Sequence, residues 1–223
     1  ILKNTGNVEN LNGTFSQCVA LETAPSLDTS SCTNFNSMFF NCSSLKEVPV
    51  YETLNGTDFN LAFKLCENLE FIKIDLSNAL SMESMFEDCT SLRNVEFIGN
   101  TGNTENFSRL FVNCSSLKNI PFFDTSSAED VTSMFEGCIN VESGAVEMYE
   151  QMSASASISS HSYCFTNCGV ATLQGIGDLC KIPTTWGGLG SLPANSLLFN
   201  FGDPNYNPNE TTTSNHGTWT SYS

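Results

Sequence analysis

Large apolar residues recur along most of this chain in two alternating rhythms. The first has helical spacings of three and four. Six cysteines, Cys18, Cys42, Cys66, Cys89, Cys114 and Cys138, follow one another at intervals of 24, 24, 23, 25 and 24 residues. Three residues before each stands a phenylalanine: Phe15, Phe39, Phe63, Phe86, Phe111 and Phe135. Three residues after each stands an aliphatic: Leu21, Leu45, Leu69, Leu92, Leu117 and Val141. Four residues before the phenylalanines come Leu11, Phe35, Phe59, Met82, Phe107 and Val131. In the second unit this spacing predicts that Phe35, Met38, Phe39 and Cys42 share one face of a helix of two to three turns. Ser126-Ser127-Ala128-Glu129 is expected to open the sixth such helix as a capping box.

The second rhythm follows each cysteine. Leu45-x-x-Val48-x-Val50, Leu69-x-x-Ile72-x-Ile74, Leu92-x-x-Val95-x-Phe97 and Leu117-x-x-Ile120-x-Phe122 repeat a strand pattern with those residues inward. One short strand and one short helix per unit of about 24 residues predicts an α/β repeat solenoid. It is leucine-rich-repeat-like and right-handed, with a short parallel sheet on one face and short helices on the other. The structural ladder is Phe39, Cys42, Leu45, Phe63, Cys66, Leu69, Phe86, Cys89, Leu92, Phe111, Cys114 and Leu117.

Asp28-Thr29-Ser30 leading to Met38-Phe39-x-x-Cys42-x-x-Leu45, and Asp124-Thr125-Ser126 leading to Met134-Phe135-x-x-Cys138, resemble the unit of the BspA-like leucine-rich repeat surface proteins. The resemblance covers about residues 8–145. It implies a bacterial surface protein associated with adhesion, and similar arrays suit virus particles that attach to bacteria.

Residues 1–145 thus read as six units, and 146–182 as a degenerate seventh unit and cap. In the seventh, Phe165-Thr166-Asn167-Cys168 repeats the motif after an insertion of about six residues, with Cys164 in the slot of Met38 and His161 in that of Phe35. Residues 183–223 read as a polar β/loop segment leading to a further domain. They hold a strand candidate at 196–201 and turn chemistry at 203–209. The chain opens on Ile1-Leu2-Lys3-Asn4, without Met or a charged-then-apolar leader, and so reads as a fragment or a processed chain.

Charge narrows the partners. Eight Lys and Arg face 24 Asp and Glu, a formal net charge of -16, which repels nucleic acid and anionic membrane. No apolar run approaches the roughly 18 residues that span a bilayer, so membrane insertion is not expected. The outward strand positions Lys46, Glu47, Glu70, Phe71, Lys73, Arg93, Glu96 and Lys118 carry four of the eight cations. They are a candidate ligand-binding face with Phe71 as an anchor, or else neighbours that balance one another's charge. A second row, Asp28, Glu52, Asp75, Asn100 and Asp124, either caps local turns or binds calcium.

Ten cysteines raise metal and redox chemistry. The six ladder cysteines keep phase with inward Phe and Leu, as buried thiols do, and lack the paired ligands of a zinc site. For Cys164, Cys168 and Cys180, three states stay open: a zinc site with His161, a disulfide from Cys180, or free thiols. No nucleophile–base set can be assembled around His161 or His216. The expectation is therefore no catalytic residue, no metal and no cofactor. The chain reads as a recognition module, extracellular or on a cell surface, that binds a protein or glycan. The alternative is a spacer or assembly part of a larger surface or virion protein.

Overall fold

The computed structural model describes residues 5–190, 212–214 and 217–219. The chain divides into two compact units, Ile1–Gly190 and Ser191–Ser223. In the second, β3 (Thr212–Ser214) pairs antiparallel with β4 (Gly217–Trp219). The strand candidate at 196–201 and the turn at 203–209 lie outside the described residues. The first unit holds a parallel pair, β1 (Phe71–Asp75) and β2 (Asn94–Ile98), and two helices, α1 (Ala145–Ser153) and α2 (Leu173–Leu179).

Neither helix lies in a Phe-x-x-Cys segment. Those segments are runs of overlapping turns, which corrects the expected helix in each unit. In the second unit Met38, Phe40 and Cys42 donate their N–H groups three residues back, to Phe35, Ser37 and Phe39. The intervening N–H groups of Phe35, Ser37, Phe39 and Asn41 donate instead to the carbonyls of Asp58, Asn60, Ala62 and Lys64 in the next unit. The same four-bond pattern joins Leu11, Gly13, Phe15 and Gln17 to the second unit, and Val131, Ser133, Phe135 and Gly137 to the seventh. An α-helix would hold all these donors within its own segment.

This division requires two left-handed residues per unit. Immediately before the motif cysteine, Gln17, Asn41, Leu65, Asp88, Asn113, Gly137 and Asn167 all have φ between 57° and 75°. Four residues earlier, Gly13, Ser37, Leu61, Ser84, Arg109, Ser133 and Tyr163 all have φ between 53° and 64°. Helical spacing of the apolar positions survives because each turn advances three or four residues. Hence Phe35, Met38, Phe39 and Cys42 are buried as expected, although the element is different. The sixth segment likewise opens without a helix: the Ser126 N–H bonds Asp124 Oδ1, and the Ala128 N–H bonds the Thr125 carbonyl.

The phenylalanines form one stack. Phe15, Phe39, Phe63, Phe86, Phe111, Phe135 and Phe165 lie with successive ring centroids 5.3–5.7 Å apart and planes within 22° of parallel. Phe165 continues it because α1 takes up the additional residues, burying Ala145, Met148 and Met152. The ladder thiols reach across units. Cys42, Cys66, Cys89, Cys114 and Cys138 donate to the carbonyls of Phe15, Phe39, Phe63, Phe86 and Phe111 at 3.0–3.2 Å. At the seventh unit, the Phe165 N–H is received by the Trp186 carbonyl.

Strands form only in the third and fourth units; in the first, second and fifth the reason is proline, while in the sixth and seventh α1 and α2 occupy that register. Pro25, Pro49 and Pro121 occupy the slot that Lys73 and Glu96 fill as paired residues of β1 and β2. Proline has no N–H to give a ladder. The chain there turns its following residue outward, so Val50 and Phe122, expected to be inward, are exposed. Tyr51 and Phe123 are buried in their place, with the Tyr51 hydroxyl donating to the Pro25 carbonyl at 2.6 Å.

One carboxylate is buried among the turns. Glu87 receives Nε and Nη2 of Arg109 at 3.0 and 2.6 Å, and Lys64 lies 3.0 Å away. Burial alone raises its pKa, but the hydrogen bonds from Arg109, Ser84 and Lys64 overcome this and hold the carboxyl at about 2.

Two stability tests follow. At exposed Asn167, with φ of 57°, Asn167→Gly will leave stability nearly unchanged while Asn167→Val costs about 1–2 kcal/mol in chemical denaturation; a helix would penalise Gly more than Val. Glu87→Gln will cost about 2 kcal/mol at neutral pH, discounted because Arg109 is 44% exposed. A depressed carboxyl stabilises fully above its ordinary value of 4.5 and loses that contribution as pH falls through about 2, so the two proteins' stabilities will converge across that window.

Candidate functional site

Two surfaces in the repeat region present chemistry to solvent. The first is the set of outward strand positions. The alternation of β1 exposes Phe71 and half-exposes Lys73 while burying Ile72 and Ile74; in β2 it exposes Asn94 and Glu96 around buried Val95. Every cation predicted here is joined to a glutamate of an adjacent unit. Lys46 lies 2.9 Å from Glu22, Arg93 3.9 Å from Glu70 and Lys118 3.1 Å from Glu142, and Lys73 bonds Glu96. Glu47 is exposed beside them. Such exposed pairs contribute roughly 0–1 kcal/mol each. They leave the face near neutrality, with Phe71, 47% exposed, as its large apolar group.

The second surface is a groove of about 660 Å3 at the corner after the fifth unit's proline. One wall is Phe122, 83% exposed. Gln151 of α1 also lines the groove, with Ala154 and Ser155, supplied by the insertion before the seventh unit. Gln151 is anchored, donating to the Phe123 carbonyl at 3.0 Å and the Thr125 hydroxyl at 2.9 Å. A smaller hollow of about 260 Å3 adjoins it through Asn100, Asp124 and Ser126 and reaches Ser77 and Asn103. No cation lines either hollow.

Four members of the Asp28 row perform local work of one kind. Asp28, Asp75 and Asp124 accept the N–H two residues on through Oδ1, and Asn100 does the same for Gly102. These bonds lower the Asp124 pKa, with the Ser126 N–H as the largest cause. Glu52 is exposed and contributes its backbone carbonyl to the Thr29 hydroxyl. Among the described residues, no group of three or more His, Cys, Asp or Glu side chains gathers as a metal site would. A second Asx row escaped the sequence reading. Asn10, Asn34, Asp58, Asn106 and Asp130 accept the N–H two residues on, and their recurrence one residue before the segment's first apolar position was the available signal.

The thiols are unbridged, and nine of the ten are at least partly buried. Burial pushes the Cys42 thiol to about 11 and that of Cys138 to about 12, and drives Cys164 and Cys168 well above the ordinary thiol range. Cys180, half-buried, is also raised by burial. His161 is not turned toward them: its ring stacks on Trp186 at 4.2 Å, with Nδ1 3.3 Å from the Thr185 carbonyl. A thiol so far from ionisation is a poor nucleophile.

No curated protein matches this chain. A solved leucine-rich repeat protein from Bacteroides ovatus ATCC 8483 is similar at 17% identity over 60% of this chain, with a TM-score of 0.27. The match spans about half of that protein's length, 51%. The family described as "Mycoplasma protein of unknown function, DUF285" matches residues 3–95 and 46–149. Those matches together cover more than half of the sequence, every unit of the Phe-x-x-Cys ladder from Phe15 to Cys138 among them, and the chain belongs to the DUF285 family.

Proposed function

We propose that this chain is a non-enzymatic recognition module of the BspA-like kind, displayed at a cell surface and binding a protein or glycan. In this reading the units wind as a leucine-rich-repeat-like solenoid, and the outward strand positions around Phe71 meet the partner. The supporting observation is the exposed Phe71 ring held on β1 within a frame of ion pairs that leaves the face near neutral. A large aromatic on a rigid strand, ringed by polar groups, has the character of an interface anchor. The raised thiol pKa values and the stacked His161 further favour a role without covalent chemistry.

A spacer role is the second reading, favoured by the same ion pairs, each of which is already complete between units of this chain. Reversing Lys46, Arg93 and Lys118 to Glu while replacing Phe71 with Ala separates the two. The pairs are exposed, so each loss costs at most about 1 kcal/mol and the fold will survive. On cell-surface protein and glycan arrays the variant will lose at least about tenfold in affinity if the strand face recognises the partner. Unchanged binding by a folded variant would move the site off the strand face, and absence of binding by the unaltered chain would leave the spacer reading.

A further inference from the structure

We infer that the groove beside Phe122 is a binding site for a neutral oligosaccharide. This inference rests on the reading of the chain as a recognition module and assigns it a second site and a ligand class. Phe122 lies 83% exposed and stacks on no other ring among the described residues. Its partner in sequence, Phe123, has taken the buried position, packing against Phe97 and Phe107 at 5.3 and 5.5 Å. The exposed ring therefore offers an open electron-rich face, against which the C–H face of a sugar stacks favourably.

The adjoining hollow, which Gly102 lines, supplies the complementary polar chemistry. A Cβ placed on Gly102 would lie 2.8 Å from Asp124 Oδ2, 3.1 Å from Asn100 Oδ1 and 3.1 Å from Ser126 Oγ. Glycine at 102 thus keeps a gap between three oxygens that face one another. Asp124 Oδ1 is engaged by the Ser126 N–H and Asn100 Oδ1 by the Gly102 N–H, which fixes both side chains and leaves Asp124 Oδ2 and Ser126 Oγ at the gap. Gln151, fixed by its bonds to Phe123 and Thr125, also lines the groove. Acceptors gathered in this way suit a ligand rich in hydroxyl donors.

Charge determines which sugar. The groove holds Asp124 and no cation, and the chain carries -16 overall, so sulfated or uronate-rich glycans are repelled. A cavity of about 660 Å3, continued by one of about 260 Å3, falls in the range of small-molecule sites and has room for more than one ring.

The test is calorimetric titration of the whole chain with maltotriose, cellotriose and tri-N-acetylchitotriose, with a sulfated trisaccharide and spermine as charged probes. At least one neutral trisaccharide is expected to bind with a Kd of about 1 mM or tighter, and the sulfated probe is expected not to bind. Phe122→Ala will weaken that binding by about tenfold with an unchanged melting temperature, since the ring is exposed. Gly102→Ala, which fills the gap, will weaken it as much. Absence of binding by all three neutral sugars, binding of spermine or the sulfated probe alone, or neutral-sugar binding indifferent to Phe122→Ala would each overturn the assignment. Failure here with loss of partner binding in the strand-face variant would remove this site and leave the recognition role standing.

Discussion

The carbonyl oxygen of each ladder phenylalanine from Phe15 to Phe111 accepts twice, from the N–H of the cysteine three residues on and from the thiol of the next unit's cysteine. A carbonyl has two lone pairs, and here both are used with no water required. The thiol is suited to this place because it is small and apolar enough for complete burial yet still a weak donor. This double acceptance ties one unit's turn to its neighbour's side chain, so the period of about 24 residues and the identity of the cysteine are consequences of one contact. The parallel phenylalanine rings follow from the same spacing.

Much of this was legible in sequence because burial leaves a period. The ladder residues from Phe39 to Leu117 are buried where the spacing put them, and Phe165 joins the stack in the seventh unit. The conformation of the segments was not legible from apolar spacing, since turns of three and four residues repeat the rhythm of a helix. The missed signal lay in the polar residues: Asn41, Asp88, Asn113, Gly137 and Asn167 precede the cysteine, and these residue types tolerate the left-handed region. Gln17 and Leu65 hold the same slot without such a preference, which weakened the signal.

The candidate surfaces were less accessible. Outward strand residues could be named from alternation, but which cation meets which glutamate depends on the lateral register between units. The groove was out of reach because it requires Phe122 to face outward. Alternation with Ile120 placed it inward, and only Pro121, which withholds a donor from the ladder, reverses it. Part of its lining comes from an insertion whose path no repeat could foretell.

The prolines have one more consequence. A parallel sheet running through every unit would offer the outer edges of its terminal strands to other chains, and such edges recruit foreign strands into aggregates. Here β1 and β2 are flanked by units carrying Pro49 and Pro121 at the paired register, and Pro25 repeats the interruption one unit further out. The array therefore grows through its turn segments, where the left-handed residues make pairing with an ordinary extended strand geometrically unsuitable. The protein lengthens by adding units of its own kind while remaining a poor template for any other.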